Sequence, residues 1–154
     1  MRVAVKLGNI EQALQIVEDY QKRWAEAADK LALRYAEEAA EAIDKAYGGT
    51  HVSGDKDYAV TIEIVDDGKY QVKASGESVP FLEWGAGVTY NPDPVPRPEW
   101  VLGIGEYGKK QGRNERWRMP GGHWSYGNPA AQGFVLAREA VVTRAVDIAR
   151  EVLG

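Results

Sequence analysis

The chain contains no cysteine and only two histidines. The absence of cysteine excludes disulfide frameworks, thiolate zinc sites and cysteine nucleophiles together. His51 and His123 are 72 residues apart, which is far from the short ligand spacing of a metal motif. We therefore expect no metal site and interpret both histidines as surface residues.

Long apolar runs and an excess of positive charge are also lacking. No window approaches the roughly 20 apolar residues that a membrane span requires, and the opening MRVAVKL is too short for a signal peptide. We expect no membrane association and a protein that is cytoplasmic where it is made. The net charge of -4 disfavours a nucleic-acid binder that uses its whole surface.

The 154 residues, 44% of them hydrophobic, have the size and apolar content of one compact domain, which we predict over residues 1–154. MRVAVKL alternates with period two and predicts a short strand. Apolar residues then recur at spacings of three, four and seven from Ile10 to Ala46, which predicts a helix of about 38 residues. Gly48 and Gly49 are expected to end it.

This long helix is the most unusual feature of the pattern. At about 1.5 Å per residue it would span about 57 Å, well beyond the length of a typical globular helix. The rest of a small domain cannot cover a helix of that length. Two interpretations stay open: a self-supporting surface helix, or a helix whose apolar stripe packs in part on a neighbouring subunit.

A hairpin is predicted in the middle of the chain. YAVTIEIV (58–65) and KYQVKAS (69–75) alternate cleanly around a turn at Asp66, Asp67 and Gly68, where the glycine can adopt positive φ. The apolar segment VPFLEW (79–84) is expected to add to this sheet or to cover it.

The last predicted element is a C-terminal helix. Its apolar residues recur at three and four from Phe134 to Val152, with the charges opposite. The order of elements predicts an α+β fold, in which a small antiparallel sheet packs with a long N-terminal helix and a C-terminal helix. Residues 85–130 are rich in glycine, proline and aromatic residues, which predicts a long functional or flexible loop.

GIGEYG (103–108), within this loop, has the spacing of a dinucleotide-binding turn. That turn should follow a buried strand and open an apolar-faced helix. The preceding NPDPVPRPEW (91–100) carries four prolines, which are incompatible with a central strand, and no apolar helical repeat follows. We therefore expect no nucleotide cofactor and no other cofactor.

Positive charge concentrates in KKQGRNERWR (109–118). Five basic residues against one acidic residue give +4, so the remainder of the chain carries -8. The candidate interface residues are Tyr107, Lys109, Lys110, Arg113, Arg116, Trp117, Arg118 and Trp124. A solvated loop, docking onto an acidic protein neighbour and contact with single-stranded nucleic acid all stay open. Docking is preferred over nucleic-acid contact because arginine and aromatic residues are enriched in protein interfaces.

Glu83, beside Phe81 and Trp84, is the carboxylate that stands out among apolar neighbours. A single carboxylate is not an acid/base pair, and no serine has the context of a nucleophile elbow. We therefore expect no enzymatic activity and assign no catalytic residue.

Three segments, VPFLEWGAG, GIGEYGKKQGRNERW and GNPAAQGFVLAREAV, together resemble a known family. It comprises the small neck or tail-completion proteins of long-tailed double-stranded DNA phages, often called gene-product-ten-like. The resemblance covers nearly the whole chain in element order. Its motif residues are Glu83, Trp84, Gly85, Gly87, Pro129 and Phe134. The chain departs from the family at Ala86, where threonine is common, and at Gly133, where proline is common.

The resemblance implies a non-enzymatic virion protein that forms a ring of six copies at the head-tail junction, and that is in the host cytoplasm during assembly. Its implied partners are itself and the adjacent connector or tail tube proteins. DNA would pass through the channel without specific binding, since the acidic remainder of the chain repels it. The alternatives are a tail terminator, a small nucleic-acid-binding protein that uses residues 107–118, and a hydrolase that uses Glu83.

Overall fold

The computed structural model describes residues 10–50, 56–85, 117–118, 122, 124–125 and 127–154. The elements, in chain order, are α1 (Ile10–Gly49), β1 (Ala59–Asp66), β2 (Lys69–Ser75), α2 (Val79–Trp84), β3 (Trp117–Arg118), β4 (Trp124–Ser125) and α3 (Gly133–Leu153). The fold is α+β, with a long N-terminal helix, an antiparallel pair of strands and a C-terminal helix, as predicted. The strand expected at MRVAVKL lies outside the described residues, and the single domain stays a prediction.

Helix α1 consists of an exposed half and a packed half. It extends over 40 residues and ends at Gly49, which confirms the predicted bounds. All residues from Ile10 to Glu26 are exposed, whereas Ile43 and Tyr47 are completely buried. The remainder of the described chain therefore covers only the C-terminal part of this helix.

The hairpin of β1 and β2 has the predicted strands and turn. Its register extends from Ala59 opposite Ser75 to Asp66 opposite Lys69, with a bulge between Ile64 and Asp66. Gly68 has φ of 68°, the left-handed conformation for which glycine was predicted there. Alternate residues of the strands are half-buried, so one face of the hairpin packs on the helices.

The segment VPFLEW forms helix α2 rather than a third strand of the sheet. Pro80 lies in its first turn, where a missing N–H has no cost. Leu82 is fully buried and belongs to the core with Ile43, Tyr47 and Ala137. Around this core pack half-buried residues of both strands and of α2 and the neighbouring turns of α1, among them Ala39, Val60, Val72 and Val79.

Helix α3 packs along the C-terminal half of α1. Ala137 and Ile148 are buried on α3, the Tyr35 hydroxyl donates to the Ala145 carbonyl at 3.1 Å, and Arg144 forms an ion pair with Glu38. The expectation that charges occupy the opposite face of α3 holds in part. Glu139, Asp147 and Arg150 are exposed there, but so are four apolar side chains, namely Val135, Val142, Val146 and Leu153, between 48% and 68% exposed.

Most of the predicted loop over 85–130 lies outside the described residues. Strands β3 and β4 lie within it and pair antiparallel, with Trp117 opposite Ser125 and Arg118 opposite Trp124.

No helix among the residues described is long and apolar enough to cross a membrane.

Candidate functional site

Two motifs of the sequence, far apart along the chain, meet at the beginning of α3. The backbone N–H of Ala131 donates to the Leu82 carbonyl at 2.7 Å, and that of Gln132 donates to the Glu83 carbonyl at 3.2 Å. The Asn128 side-chain amide donates to the Phe81 carbonyl at 2.7 Å. We call these contacts between residues 81–83 and 128–134, together with Tyr47, the Glu83 clasp.

The carboxylate of Glu83 is at the centre of this clasp. Its Oε2 accepts a hydrogen bond from the Tyr47 hydroxyl at 3.0 Å and one from the Phe134 backbone N–H at 3.4 Å. Gln132, at the N-cap of α3, has left-handed φ and ψ of 52° and 46° and makes no side-chain cap. Glu83 therefore provides both the acceptor and the negative charge that a helix N-terminus requires.

Tyr47 connects the clasp to the core. Its ring is fully buried and meets Tyr58 edge to face, with centroids 5.4 Å apart. Burial raises the pKa of Tyr47 well above its ordinary value, and the nearby Glu83 carboxylate raises it further. The hydroxyl is therefore a permanent hydrogen-bond donor at neutral pH.

Gly133 permits the close approach of α3 to Tyr47. A Cβ built on this residue would lie 2.7 Å from Tyr47 Cε1 and 3.3 Å from Ile43 Cγ2. Any larger side chain would push the helix away from the core. Glycine at this position thus has a packing reason in this chain.

The structure brings most of the motif residues together. Glu83 and Gly85 are buried, Trp84 is half-buried, and Pro129 and Phe134 are exposed at the edge of the clasp. Phe134, expected on the buried stripe of α3, is 42% exposed and contributes its backbone instead. Gly85 has φ of 74°, a conformation that favours glycine. Gly87 lies outside the described residues.

Sequence reasoning missed Tyr47 and Asn128 as members of this site. Asn128 is 4% exposed and satisfies the Phe81 carbonyl and, at 3.1 Å, the Pro129 carbonyl. The only sequence signal for it was its place immediately before Pro129. No sequence signal identified Tyr47, because its partner Glu83 is 36 residues away along the chain.

Most of the candidate interface residues of the basic segment lie outside the described residues. These are Tyr107, Lys109, Lys110, Arg113 and Arg116. The backbones of Trp117 and Arg118 form β3, and the side chain of Trp124 on β4 is 55% exposed. The role of this segment as an interface stays a prediction.

Two apolar surfaces lie exposed on the helices. The α1 stripe comprises Ile10, Leu14, Val17 and Trp24, between 52% and 71% exposed. The α3 stripe comprises Val135, Val142, Val146 and Leu153. Single exposed apolar residues are ordinary, but contiguous sets of them mark interaction surfaces.

Two open grooves, of about 530 and 720 Å³, lie on either side of Tyr35. The first is formed with Val146 and Leu153 of α3, the second with Tyr70 and Val72 of β2. The described residues that line them include no aspartate, glutamate or histidine. Within the described ranges, no three potential ligand side chains form a group that could hold a metal ion.

No family model, curated protein or solved structure matches the chain.

Proposed function

We propose that this chain is a structural subunit of the head-tail junction of a long-tailed double-stranded DNA phage, of the neck or tail-completion class, and that it assembles into a ring. The observation that carries the proposal is the exposed N-terminal half of α1, Ile10–Glu26. A helix that projects with an apolar stripe on its surface is typical of a protein that completes its packing against other subunits.

The Glu83 clasp supports the same proposal. Two of the motif residues on which the resemblance depends, Glu83 and Phe134, fix α3 against α1 and α2 through hydrogen bonds. Glu83 is 7% exposed and engaged by two donors. These contacts hold the three helices in fixed positions relative to one another, which a subunit that transmits contacts around a ring requires.

The charge distribution fits a channel for DNA. The chain outside residues 109–118 carries -8, and like charge prevents the tight phosphate contacts that would retain DNA. The basic segment would then dock on an acidic neighbour, such as a connector or tail tube subunit, as the ring assembles. Six copies and a location in the virion follow from the resemblance and belong to the proposal.

Electron microscopy of particles from a host that expresses a labelled copy tests this function. We expect the label at the junction between head and tail. Deletion of the gene should leave filled heads and tails of normal length that do not join. A particle population without label at the junction, or with joined heads and tails after deletion, would overturn the proposal.

The same deletion distinguishes the neck role from the alternative in the same class, the tail terminator. A protein that caps the tube stops its growth, so its loss gives tubes of uncontrolled length. Normal tube length therefore favours the neck assignment, and overlong tubes favour the terminator.

A nucleic-acid-binding role is a second candidate because the Trp124 side chain is exposed on β4, beside the strand that contains Trp117 and Arg118. Exposed aromatic rings next to basic residues stack on unpaired bases. Substitution of Arg113, Arg116 and Arg118 by glutamine should then abolish salt-dependent binding to single strands, whereas Arg150→Gln on α3 should not. Absence of such binding by the unaltered chain excludes this role.

A further inference from the structure

We propose that the α1 stripe of one copy docks on the α3 stripe of the next copy, so that each chain provides one end of a repeating head-to-tail contact. This inference rests on the proposed function and deepens it, because it names the two surfaces that would build the ring. The partner is a second copy of this chain.

The two stripes have matching periodicity. Ile10, Leu14, Val17 and Trp24 follow spacings of four, three and seven, and Val135, Val142, Val146 and Leu153 follow seven, four and seven. Both patterns follow the a and d positions of a coiled-coil seam, which are apolar here except for Gln21 on α1 and Glu139 on α3. At 1.5 Å per residue the stripes are about 21 and 27 Å long, so they can lie side by side along their whole length.

The charges beside the two stripes are complementary. In the heptad that places Leu14 at position a, the charged residues at the flanking e and g positions of α1 are Glu11 and Glu18. In the corresponding heptad of α3 they are Arg138 and Arg150. The seam of one helix is thus flanked by acidic side chains and that of the other by basic ones, although Glu139 lies within the α3 stripe and Arg150 also pairs with Asp147. Opposite flanking charges favour a hetero pair of helices over either self pair.

The contact must form between copies rather than within one. Helix α1 contains no glycine or proline before Gly48, and its C-terminal half already packs on the buried face of α3, near Ala137 and Ile148. Its N-terminal half cannot turn back to the opposite face of the same α3 without a break in the helix. The α1 stripe of another copy meets no such restriction.

The α1 stripe is part of a larger exposed apolar set. With Ile16 and Tyr20 near it, six large side chains are each more than half exposed. Because each copy has one stripe of each kind, the contact is heterologous and continues from copy to copy until a ring closes.

Mixing two defective variants tests this interface with the purified chain. The first, Val17→Glu/Trp24→Glu, damages only the α1 stripe; the second, Val142→Glu/Val146→Glu, damages only the α3 stripe. All four side chains are at least 52% exposed, so the fold should be unchanged. Val65→Glu, at a β1 residue that is 62% exposed and outside both stripes, is the matched control.

Sedimentation velocity gives the expected masses. The unaltered chain and the control should form species larger than a dimer as concentration rises, and each double variant should stay a monomer. An equimolar mixture of the double variants should give a 1:1 dimer and nothing larger, because the one intact stripe of each meets the intact stripe of the other.

Three results would overturn the interface: an α3-stripe variant that assembles like the unaltered chain, a mixture that stays monomeric, or an unaltered chain that is monomeric up to about 1 mM, the weak end of specific association. None of these depends on virions, so the interface can fail while the head-tail location holds, and the reverse.

Crosslinking provides a second readout, since the chain has no cysteine of its own. Val17 and Val146 lie near the middle of their stripes, so they come close whichever way the helices run. A mixture of Val17→Cys and Val146→Cys chains should form the mixed disulfide in large excess over either homodimer. Dominance of the Val17→Cys homodimer would show that α1 pairs with itself and contradict the proposal.

Discussion

The hydroxyl of Tyr47 lies 3.0 Å from Oε2 of Glu83, and this bond joins the end of α1 to α2 inside the core. The same oxygen accepts the backbone N–H of Phe134 at 3.4 Å, so one carboxylate also holds the beginning of α3. Since a buried charge is costly unless hydrogen-bonded, each donor matters to the stability of the whole arrangement.

Replacement of Tyr47 by phenylalanine should destabilise the fold without changing its shape. Glu83 would remain buried with one donor fewer, and such a loss costs about 1–3 kcal/mol. Urea denaturation should show this decrease in the free energy of unfolding. Tyr20→Phe, at an exposed position of α1, is the matched control and should leave the free energy within about 0.5 kcal/mol.

A double-mutant cycle isolates the bond itself. Tyr47→Phe combined with Glu83→Gln should cost less than the sum of the single changes, with a coupling of about 0.5–3 kcal/mol. Since the glutamine amide oxygen can still accept a hydrogen bond, additive effects of the two substitutions would mean that the carboxylate charge of Glu83 does not strengthen the bond to Tyr47.

The stability should also decline at alkaline pH. Burial and the Glu83 carboxylate raise the pKa of Tyr47 above its ordinary value of 10.0. A group with a raised folded pKa contributes fully below its unfolded pKa, and this contribution is lost as pH rises beyond that value. The urea midpoint should therefore decrease above about pH 10, and it should decrease less steeply in Tyr47→Phe.

Two other tyrosines also contribute to the decline of stability at alkaline pH. Tyr58 and Tyr70 also have pKa values raised, by burial and Asp44 for the first and mainly by a hydrogen bond to Asp29 for the second. The urea midpoint of Tyr47→Phe should therefore still decrease at alkaline pH, although less steeply than that of the unaltered chain. If the urea midpoint decreased equally steeply between pH 9 and 11 in Tyr47→Phe and in the unaltered chain, this would contradict the role of Tyr47.

The elements that the sequence could predict are those whose signals are local. The end of α1 at Gly49, the turn at Gly68 and the length of α3 depend on neighbouring residues in the chain. The helical conformation of VPFLEW could not be predicted in this way. Its six residues are too few for periodicity, and the contacts of Leu82 and Glu83 with distant residues decide its place.

The outer face of α3 shows a different limit. The apolar residues at Phe134, Ala137 and Val141 suggested one buried stripe, yet Val142 and Val146 form a second stripe on the exposed side. Sequence periodicity identifies apolar faces but does not tell which face another element covers. The packing of α1 on Ala137 and Ile148 settles that choice.

Gly133→Ala should be destabilising although alanine favours helices. The new Cβ would lie 2.7 Å from Tyr47 Cε1 and 3.2 Å from Tyr47 Cζ, and such overpacking costs about 1–3 kcal/mol. Gly49→Ala is the matched control, because nothing lies within 4 Å of the added Cβ. Thermal unfolding should show a lower midpoint for Gly133→Ala and an unchanged midpoint for Gly49→Ala. A neutral Gly133→Ala would mean that α3 can move away from the core at little cost.

The two halves of α1 should respond differently to the same kind of substitution. Ile43 is fully buried, so Ile43→Ala should cost about 2–5 kcal/mol by leaving a cavity. Leu14 is 58% exposed, so Leu14→Ala should change the free energy of unfolding by less than about 0.5 kcal/mol when measured on dilute monomer. At concentrations where copies associate, the Leu14 variant should lose stability relative to the unaltered chain, because the contact that buries this side chain adds to folding by mass action. A large effect of Leu14→Ala in the monomer would show that the exposed half of α1 is packed within its own chain.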